Sequence, residues 1–420
     1  AVAPLNASAV REQTEGMYTY YISQTGKCII TKGDPSLSGD LVIPDKLGGV
    51  PVKEIGEEAF IDNDKITSIT FPESVTEIAK YAFCKCDGLT EVVIPDTVTA
   101  LGEGAFSECK TIASVTIGNG ITEISRRAFY WNFAIKNVTI GNNVTSIGSC
   151  AFYECYKLVE VYNKSSLNIT AGSYDYGYVG CYALAVYTQP YTSNLSTDSN
   201  GYIIYTDGND KILVGYIGSE TDLILPNGIT AIYQYAFSNY HYIPKDENDV
   251  IDEEDPYLIK PWYLGESKVK KVIIPEGVTA IGQYAFYGCS GLTEITLPAS
   301  LTAIKQYAFR RSGLVSATFE NDCGWYAGEN KVAAAELSFA HGAALHLVKY
   351  GFKADWTRDV NAAPEVYNLI AMGYCGTNAW WTLDNEGTLS ILGSGVVINC
   401  TSKEAPWTAY KNDITKVVIG

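Results

Sequence analysis

The 420-residue sequence is poor in positive charge, histidine, methionine and long apolar runs. Its 30 Lys and Arg stand against 47 Asp and Glu, which gives a formal charge of −17 at pH 7. A nucleic-acid partner is therefore not expected, because phosphate neutralisation needs a basic surface. No apolar run approaches the roughly 20 residues that span a bilayer, so no membrane insertion is expected. Three His and two Met leave little material for His-based catalysis or metal binding.

What the sequence does contain is apolar and aromatic. Hydrophobic residues make up 47% and charged residues 18%, a balance that predicts a folded rather than a disordered chain. The 31 Tyr are unusually many. At roughly 150 residues per domain the length alone predicts about three domains, an expectation that the internal repeats revise.

The dipeptide Ala-Phe recurs with a period of 23 residues. It ends at Phe60, Phe83, Phe106, Phe129 and Phe152, and returns at Phe237, Phe286 and Phe309. Each repeat has the frame seen in LTEVVIPDTVTALGEGAFSECKT, residues 89–111, with two short β-type stretches and a turn at Pro or Gly. A unit of this size cannot bury its apolar face alone, so neighbouring coils must stack. The sequence therefore predicts a β-rich solenoid.

This frame resembles the BspA-like (treponemal-type) leucine-rich repeats of bacterial surface and secreted proteins. GYVGCYAL at 177–184 and the stretch 200–226 resemble the irregular coils of such arrays. The stretch 318–358 resembles their end cap, and the motifs at 375–389 resemble a small β unit that introduces a further array. The resemblance implies an array of about 23-residue coils with short strands and short helical turns. It also implies a secreted or cell-surface location.

The expected domain organisation follows from the period and the resemblance. The segment Val417–Gly420 matches the first strand of a coil, so we expect the chain to be a fragment of a longer protein. The expected parts are an N-terminal segment at 1–20, a solenoid at 21–360 with irregular coils at about 160–220, an insertion at about 240–266 and an end cap at about 314–360, and a small β unit at 361–420 that looks like the start of a further array.

The cysteines follow the repeat. Cys86, Cys109, Cys155 and Cys289 stand three residues after the repeat Phe, where other coils have Asn63 and Asn132. Cys and Asn interchange where a small inward group satisfies backbone at a coil corner, so we interpret these thiols as buried and structural. A zinc site would need close Cys pairs, which the spacing does not provide. Whether Cys375 and Cys400 are bridged stays open.

Seven carboxylates fall within residues 246–255, in the insertion between Phe237 and Phe286. Hard cations take several carboxylate oxygens, which makes Asp246, Asp249 and Asp252 calcium candidates. The run lacks the spacing and turn glycine of a calcium loop, so a solvated surface loop is the preferred interpretation. No cofactor is expected.

One outward position of the first strand recurs from coil to coil and is a candidate binding surface. Stacked coils turn such positions into ladders on an open sheet, the surface that solenoids use for binding. Thr also simply suits an exposed strand, which is the structural alternative. The residues at this position are Thr70, Val93, Thr116, Thr139 and Thr296.

Tyrosines outside the repeat form a second candidate surface. Tyr81, Tyr235, Tyr284 and Tyr307 stand two residues before a repeat Phe and belong to the scaffold. The off-period rings either anchor a partner, as Tyr does at interfaces, or fill an irregular coil. They include Tyr174, Tyr176 and Tyr178, followed by Tyr182, Tyr187 and Tyr191.

Enzymatic motifs are missing from the sequence, and we interpret His341 and His346 as structural. Together with the resemblance, these observations predict a non-enzymatic cell-surface or secreted protein. It is expected to mediate binding or adhesion to a host or extracellular protein or glycan through its solenoid face. Two alternatives stay open: a structural spacer that displays another domain, and an accessory part of a carbohydrate-active enzyme.

Overall fold

A computed structural model describes residues 11–238, 268–338, 340–350, 353–362, 369–376, 379–384, 386–393, 405 and 407–419. The calcium candidates Asp246, Asp249 and Asp252 lie outside the described residues, as does Cys400. The chain forms two compact units, the first mostly up to residue 198 and the second mostly from residue 206 onward. No helix of the described part is long and apolar enough to cross a membrane.

The strands up to residue 207 are short, as the repeat predicts. They are β1 (Gln13–Glu15), β2 (Tyr18–Ile22), β3 (Cys28–Gly33), β4 (Gly39–Val42), β5 (Lys46–Leu47), β6 (Val50–Ile55), β7 (Ile66–Thr70), β8 (Glu77–Ile78), β9 (Glu91–Ile94), β10 (Ala100–Leu101), β11 (Ser114–Ile117), β12 (Glu123–Ile124), β13 (Asn137–Ile140), β14 (Ser146–Ile147), β15 (Glu160–Asn163), β16 (Ala185–Tyr187), β17 (Leu195–Thr197) and β18 (Tyr202–Asp207). A 3₁₀ turn spans Tyr176–Tyr178.

The first strands of successive coils pair in parallel and in register. β9, β11, β13, β15 and β16 form one sheet, and β4 pairs with β7. Val92, Val115 and Val138 stand opposite one another and are buried. The residues that follow them on the same strands, such as Val93, face outward. The second strands, such as β8 and β10, make separate short ladders. The 23-residue period therefore becomes a stack of two-stranded coils.

The repeat phenylalanines form the centre of the core. The rings of Phe60, Phe83, Phe106, Phe129 and Phe152 stack nearly parallel, with centroids 5.0, 5.2, 5.7 and 5.2 Å apart. The last four are completely buried. Each ring contacts the rings before and after it, so each coil covers the apolar surface of its neighbours.

The Ala-Phe segments are hydrogen-bonded turns with an alternating backbone. Tyr81 and Lys85, two residues before and after Phe83, have left-handed φ values of 54° and 59°. Their N–H groups, and that of Phe83, donate to carbonyls of the next coil at 2.8–3.0 Å. The intervening Ala82 and Cys84 instead bond back within the turn. This alternation lets one short segment close its own turn and bond to its neighbour.

The second unit repeats the plan and ends in a cap and a small sheet. Its elements are β19 (Asp210–Tyr216), β20 (Asp222–Ile224), β21 (Ala231–Ile232), β22 (Lys271–Ile273), β23 (Ala280–Ile281), β24 (Glu294–Leu297), β25 (Ala303–Ile304), β26 (Ser316–Phe319), β27 (Trp325–Ala327), β28 (Asn330–Lys331), α1 (Ala334–Ser338), α2 (Ala340–Leu345), a π-helical turn at His346–Tyr350, β29 (Trp356–Arg358), β30 (Leu369–Gly376), β31 (Ala379–Asp384), β32 (Thr388–Gly393), a 3₁₀ turn at Thr408–Tyr410 and β33 (Lys416–Ile419).

Two ring stacks run through the second unit. Phe237, Phe286 and Phe309 stack with centroids 4.9 and 5.1 Å apart, although the first two are 49 residues apart in sequence. The extra residues therefore leave the core stack continuous. The scaffold tyrosines Tyr235, Tyr284 and Tyr307 form a second stack, at 5.1 and 5.2 Å. Their predicted place in the repeat is confirmed.

The end cap and a small sheet are the last two parts of the described chain. Trp325 and Trp356 are buried beside Phe319, and α2 packs on β26. β30–β33 form a four-stranded sheet whose core includes Trp381 and Leu389. The predicted β-rich solenoid with a small C-terminal β unit is confirmed. The segment boundaries, and a further array after residue 420, stay predictions.

Candidate functional site

The sheet face of the first unit is the surface formed by the outward residues of β4, β7, β9, β11 and β13. Strand register aligns its main row with a spacing of about 4.8 Å between neighbours. Val92 is buried whereas Val93 is 51% exposed, so the alternation along β9 turns this row toward solvent. From β9 the row continues as Val93, Thr116, Thr139, Tyr162 and Tyr187.

The face begins one coil earlier, on β7. Thr70 stands opposite Val42, which is 62% exposed. The N–H of Thr90 donates to the carbonyl of Thr67 at 3.2 Å and aligns β7 with β9. Thr70 is therefore one coil before Val93, as the period predicts.

A second outward row runs parallel to the first, two residues earlier on each strand. It consists of Asp40, Ser68, Glu91, Ser114 and Asn137, followed by Glu160 on β15. Ser68 donates to the Asp40 carboxylate at 2.6 Å. The two rows together give the sheet face two columns of small, mostly uncharged side chains.

Three rings end the sheet face at β15 and β16, and we call them the tyrosine wall: Tyr162, Tyr187 and Tyr191. Tyr187 and Tyr191 stack with centroids 3.9 Å apart, and Tyr162 meets Tyr191 edge to face at 5.7 Å. The hydroxyls of Tyr187 and Tyr205 lie 3.1 Å apart and share a hydrogen bond. The wall therefore combines two strand residues with one from the segment that follows β16.

A buried carboxylate holds that segment in place. Glu160 has no exposed surface, and it accepts hydrogen bonds from the Ser193 hydroxyl at 2.7 Å and the Asn194 N–H at 2.8 Å. The Tyr191 hydroxyl donates to it at 3.4 Å. A buried carboxylate needs such partners, because an unpaired buried charge is strongly destabilising. Glu160 thus fixes residues 191–194 over the last strands of the sheet.

Burial raises the pKa values of two tyrosines in the wall, Tyr187 and Tyr191. Loss of hydration raises the pKa of Tyr191 to about 12, and the negative charge of Glu160 raises it further in the same direction. Burial also raises the pKa of Tyr187, assisted by its hydrogen bond with Tyr205. Both rings therefore stay neutral at physiological pH and present hydroxyls rather than phenolates.

Thr296, the fifth residue of the predicted ladder, belongs to the second unit. It stands on β24 between Ile273 and Thr318. Beside this row Lys271 pairs with Glu294 at 3.2 Å. The structure thus brings Thr70, Val93, Thr116 and Thr139 together in the first unit, whereas Thr296 belongs to the second unit.

The three off-period tyrosines of the prediction have different environments. Tyr174 is 71% exposed and meets Tyr178 edge to face at 6.0 Å. Tyr178 in turn meets Tyr153 at 5.0 Å. Tyr176 is partly buried against the core, so it fills the irregular coil. These rings lie along the Ala-Phe turns, where Tyr153 also stacks on Tyr130 at 5.8 Å.

The Cys and Asn residues three positions after a repeat Phe hydrogen bond to backbone carbonyls, as predicted. The thiol of Cys109 donates to the carbonyl of Phe83 at 3.0 Å, and the amide of Asn132 donates to Phe106 at 2.8 Å. Cys289 does the same toward Phe237 at 3.0 Å. The interpretation as a buried structural ladder is confirmed, and it explains why Cys and Asn interchange.

The remaining candidates offer little reactive chemistry. His341 hydrogen bonds through Nδ1 with the Val315 carbonyl at 2.8 Å, and His346 lies 3.1 Å from Glu336. Among the described residues no group of three His, Cys, Asp or Glu side chains is placed to hold a metal ion. A groove of about 530 Å³ beside Phe60 is lined by Lys32, Asp62 and other exposed side chains. Cys375 is buried, and whether it is bridged to Cys400, which lies outside the described residues, stays open.

The face, the coils and the ring stacks define a leucine-rich-repeat solenoid. Residues 53–179 and 258–327 match the BspA type leucine rich repeat region, in six copies. Over these residues the repeats are similar to that family, and the matched segments lie in both parts of the repeat array. The resemblance read from the sequence is confirmed.

Solved structures similar to this chain are also leucine-rich-repeat proteins. One from T. pallidum is 24% identical with a TM-score of 0.37, covering 43% of this chain and 83% of that one. A leucine rich cell surface protein from Faecalibacterium prausnitzii is 22% identical with a TM-score of 0.28, covering 74% and 96%. One from Eubacterium ventriosum is 21% identical with a TM-score of 0.31, covering 73% and 70%. A comparison with curated proteins finds no match.

Proposed function

We propose that the chain is a non-enzymatic binding module whose sheet face holds an extracellular macromolecule. The observation that carries the proposal is the aligned row from Val93 to the tyrosine wall, with Thr116 and Thr139 between them. Solenoids use such extended faces for binding because one ligand can contact several coils at once. The wall gives this face a defined end.

A binding role suits the chemistry of the face better than catalysis. Its outward side chains are mainly Thr, Ser, Asn and Val, which contribute hydrogen bonds and contact area. Catalysis by carboxylates would need two acids held at a fixed separation around a substrate. Glu160, the buried acid nearest the face, instead has its oxygens engaged by residues 191–194.

We place the protein outside the cell, either secreted or at the cell surface of a bacterium. Support comes from the BspA-type repeats and from their resemblance to those of exported bacterial proteins. A host or other extracellular macromolecule is the partner that such a location makes accessible. Adhesion is the corresponding biological role.

The test is a binding screen of the whole chain against immobilised glycans and extracellular-matrix proteins. Thr139→Arg introduces a bulky charge in the middle of the sheet face. Ser146→Arg, on exposed β14 of the same coil, is the matched control on the second sheet. We expect a partner that Thr139→Arg loses and Ser146→Arg retains. Equal binding by both variants would exclude the sheet face as the binding surface.

A further inference from the structure

We propose that the sheet face binds a neutral oligosaccharide or polysaccharide that crosses strands β9 to β15 and ends against the tyrosine wall. This inference rests on the proposed function and gives its ligand a chemical class. The face combines hydrogen-bonding groups that the fold does not use with an apolar and aromatic surface beside them, and its charge is low.

The face carries hydrogen-bonding side chains that the protein itself does not use. Elsewhere in the first unit the Thr hydroxyls bond to the preceding coil: Thr99 donates to Thr76 at 3.3 Å, and Thr145 donates to Thr122 at 3.1 Å. Within the described part of the chain, the central side chains of the face make no such bonds. They are Ser114, Thr116, Asn137 and Thr139.

These four side chains match the groups of a sugar. Each hydroxyl is both a donor and an acceptor, and the Asn amide supplies two donors and an acceptor. A pyranose ring presents the same kind of groups around its rim. Four uncommitted side chains on neighbouring strands can therefore bond to a sugar without breaking any bond of the fold.

A pyranose also has apolar C–H faces, and the sheet face provides surface for them. Val93 is 51% exposed, and the methyl groups of Thr116 and Thr139 stand beside it in the row. Tyr162, the first ring of the tyrosine wall, follows Thr139 in the row and is partly exposed. Aromatic rings and methyl groups pack on C–H surface while the neighbouring hydroxyls bond to the rim.

The charge of the face favours a neutral ligand. Among the outward side chains of β4, β7, β9, β11 and β13 only Asp40 and Glu91 are charged, and both are acidic. At the wall one cation, the Lys164 ammonium, lies over the Tyr162 ring at 5.8 Å. The whole chain carries −17. Acidic polysaccharides are repelled by such a field.

Composition distinguishes a glycan from a protein ligand. Residues that dominate protein–protein binding are enriched in Trp, Tyr and Arg, whereas Ser, Thr and Val are under-represented among them. The centre of the sheet face has the opposite composition. The observations therefore favour a saccharide.

The spacing of the strands also predicts how many sugars the sheet face holds. Strands lie about 4.8 Å apart, a distance comparable to one pyranose residue, so a chain that runs along the row meets a similar set of groups at each sugar. From Val93 to Tyr162 there are three such steps, about 14 Å. Three to four sugars fill the face before the wall.

The wall is held ready before any ligand arrives. Tyr162 rests against Tyr191, whose segment is fixed by the buried Glu160. A site that is already ordered loses less conformational entropy on binding, which favours affinity. Glu160 is accordingly a positioning residue for the site.

The test is calorimetric titration of the whole chain with neutral hexasaccharides: cellohexaose, xylohexaose, mannohexaose and laminarihexaose. We expect at least one to bind, with affinity that rises up to four sugars and then stays constant in a di- to hexasaccharide series. Thr116→Val keeps the shape of the side chain and removes one hydroxyl, so it should weaken binding about threefold to tenfold. Thr139→Arg should abolish it, and Ser146→Arg should leave it unchanged.

Three outcomes overturn the inference: none of the four hexasaccharides binds, affinity does not depend on length, or Thr139→Arg binds as well as the unmodified chain. The proposed function fails separately. If an extracellular protein is captured and Thr139→Arg releases it while no saccharide binds, the sheet face is a binding surface but its ligand is a protein.

Discussion

At the scale of single residues, the same side-chain type has two uses in this protein. Thr99 and Thr145 bond to the coil before them and so join the stack. Thr116 and Thr139 face outward on the sheet, and their hydroxyls bond to no described residue. Threonine is suited to both positions because it combines a β-branched stem with a hydroxyl. Its location on the coil therefore decides whether its hydroxyl joins neighbouring coils or stays available for the proposed binding.

The Cys and Asn ladder allows a test of a single buried hydrogen bond. Asn132 is fully buried and donates to the Phe106 carbonyl at 2.8 Å. Asn132→Ala leaves that acceptor unsatisfied and should lower the free energy of unfolding by about 1–3 kcal/mol. Asn132→Cys restores a donor of the kind that Cys109 supplies and should cost less than about 1 kcal/mol. Urea denaturation measures both; equal losses would show that the hydrogen bond is not what the position needs.

The tyrosine wall predicts a loss of stability at high pH. Burial raises the pKa of Tyr191 to about 12, whereas an unfolded tyrosine has a pKa of about 10. Below pH 10 the ring is neutral in both states, so stability is unaffected. Between pH 10 and 12 only the unfolded chain ionises, and the free energy of unfolding falls. Thermal melting should show this decline, and Tyr191→Phe should make it smaller. An unchanged decline in the variant would remove Tyr191 as a cause.

At the scale of elements, the Ala-Phe turn depends on left-handed residues that are mostly not glycine. Lys85 is exposed and has φ of 59°, and the equivalent position in the second unit is Gly288, with φ of 69°. A side chain in this conformation costs about 1–2 kcal/mol. Replacing the residue with Gly removes this strain. Part of the gain is offset, because Gly also gives the unfolded chain more conformational freedom.

Lys85→Gly should therefore raise the free energy of unfolding by roughly 0.5–1 kcal/mol, the difference between these two effects. Gly288→Ala makes the reverse change and should lower it by a similar amount. Urea denaturation of both variants measures the effect. If Lys85→Gly destabilises the protein instead, the left-handed backbone is not strained at this position.

Much of this architecture follows from the period alone. The spacing of Phe83, Phe106 and Phe129 predicts stacked coils, and alternation along β9 and β11 predicts which residues face outward. The period also identifies Cys109 and Asn132 as equivalent. Each of these is a local pattern repeated every 23 residues, and stacking converts it directly into geometry.

The tyrosine wall could not be predicted in the same way. Tyr187 and Tyr191 lie outside the repeat, and their position depends on how residues 188–195 pass over the sheet. That path is fixed by Glu160, whose place in the repeat is one that other coils expose. A charged residue in an outward strand position gives no sequence signal of burial. The contact arises from tertiary packing between segments more than 30 residues apart.

At the scale of the whole molecule, each of the two units contains stacked coils that stabilise their neighbours. Such an array needs no central pocket, and its functional surface grows with the number of coils. In the first unit the proposed binding surface is a sheet face with uncommitted hydroxyl and amide groups and an aromatic end. The net charge of −17 disfavours acidic ligands on this proposed surface.

The most direct test of this account is the dissociation constant for the neutral hexasaccharide series, measured by calorimetry on the unmodified chain, Thr139→Arg and Ser146→Arg. The account predicts measurable binding that Thr139→Arg abolishes and Ser146→Arg retains. Binding that survives Thr139→Arg, or that both variants lose equally, would contradict the claim that the sheet face between β9 and the tyrosine wall is the binding site.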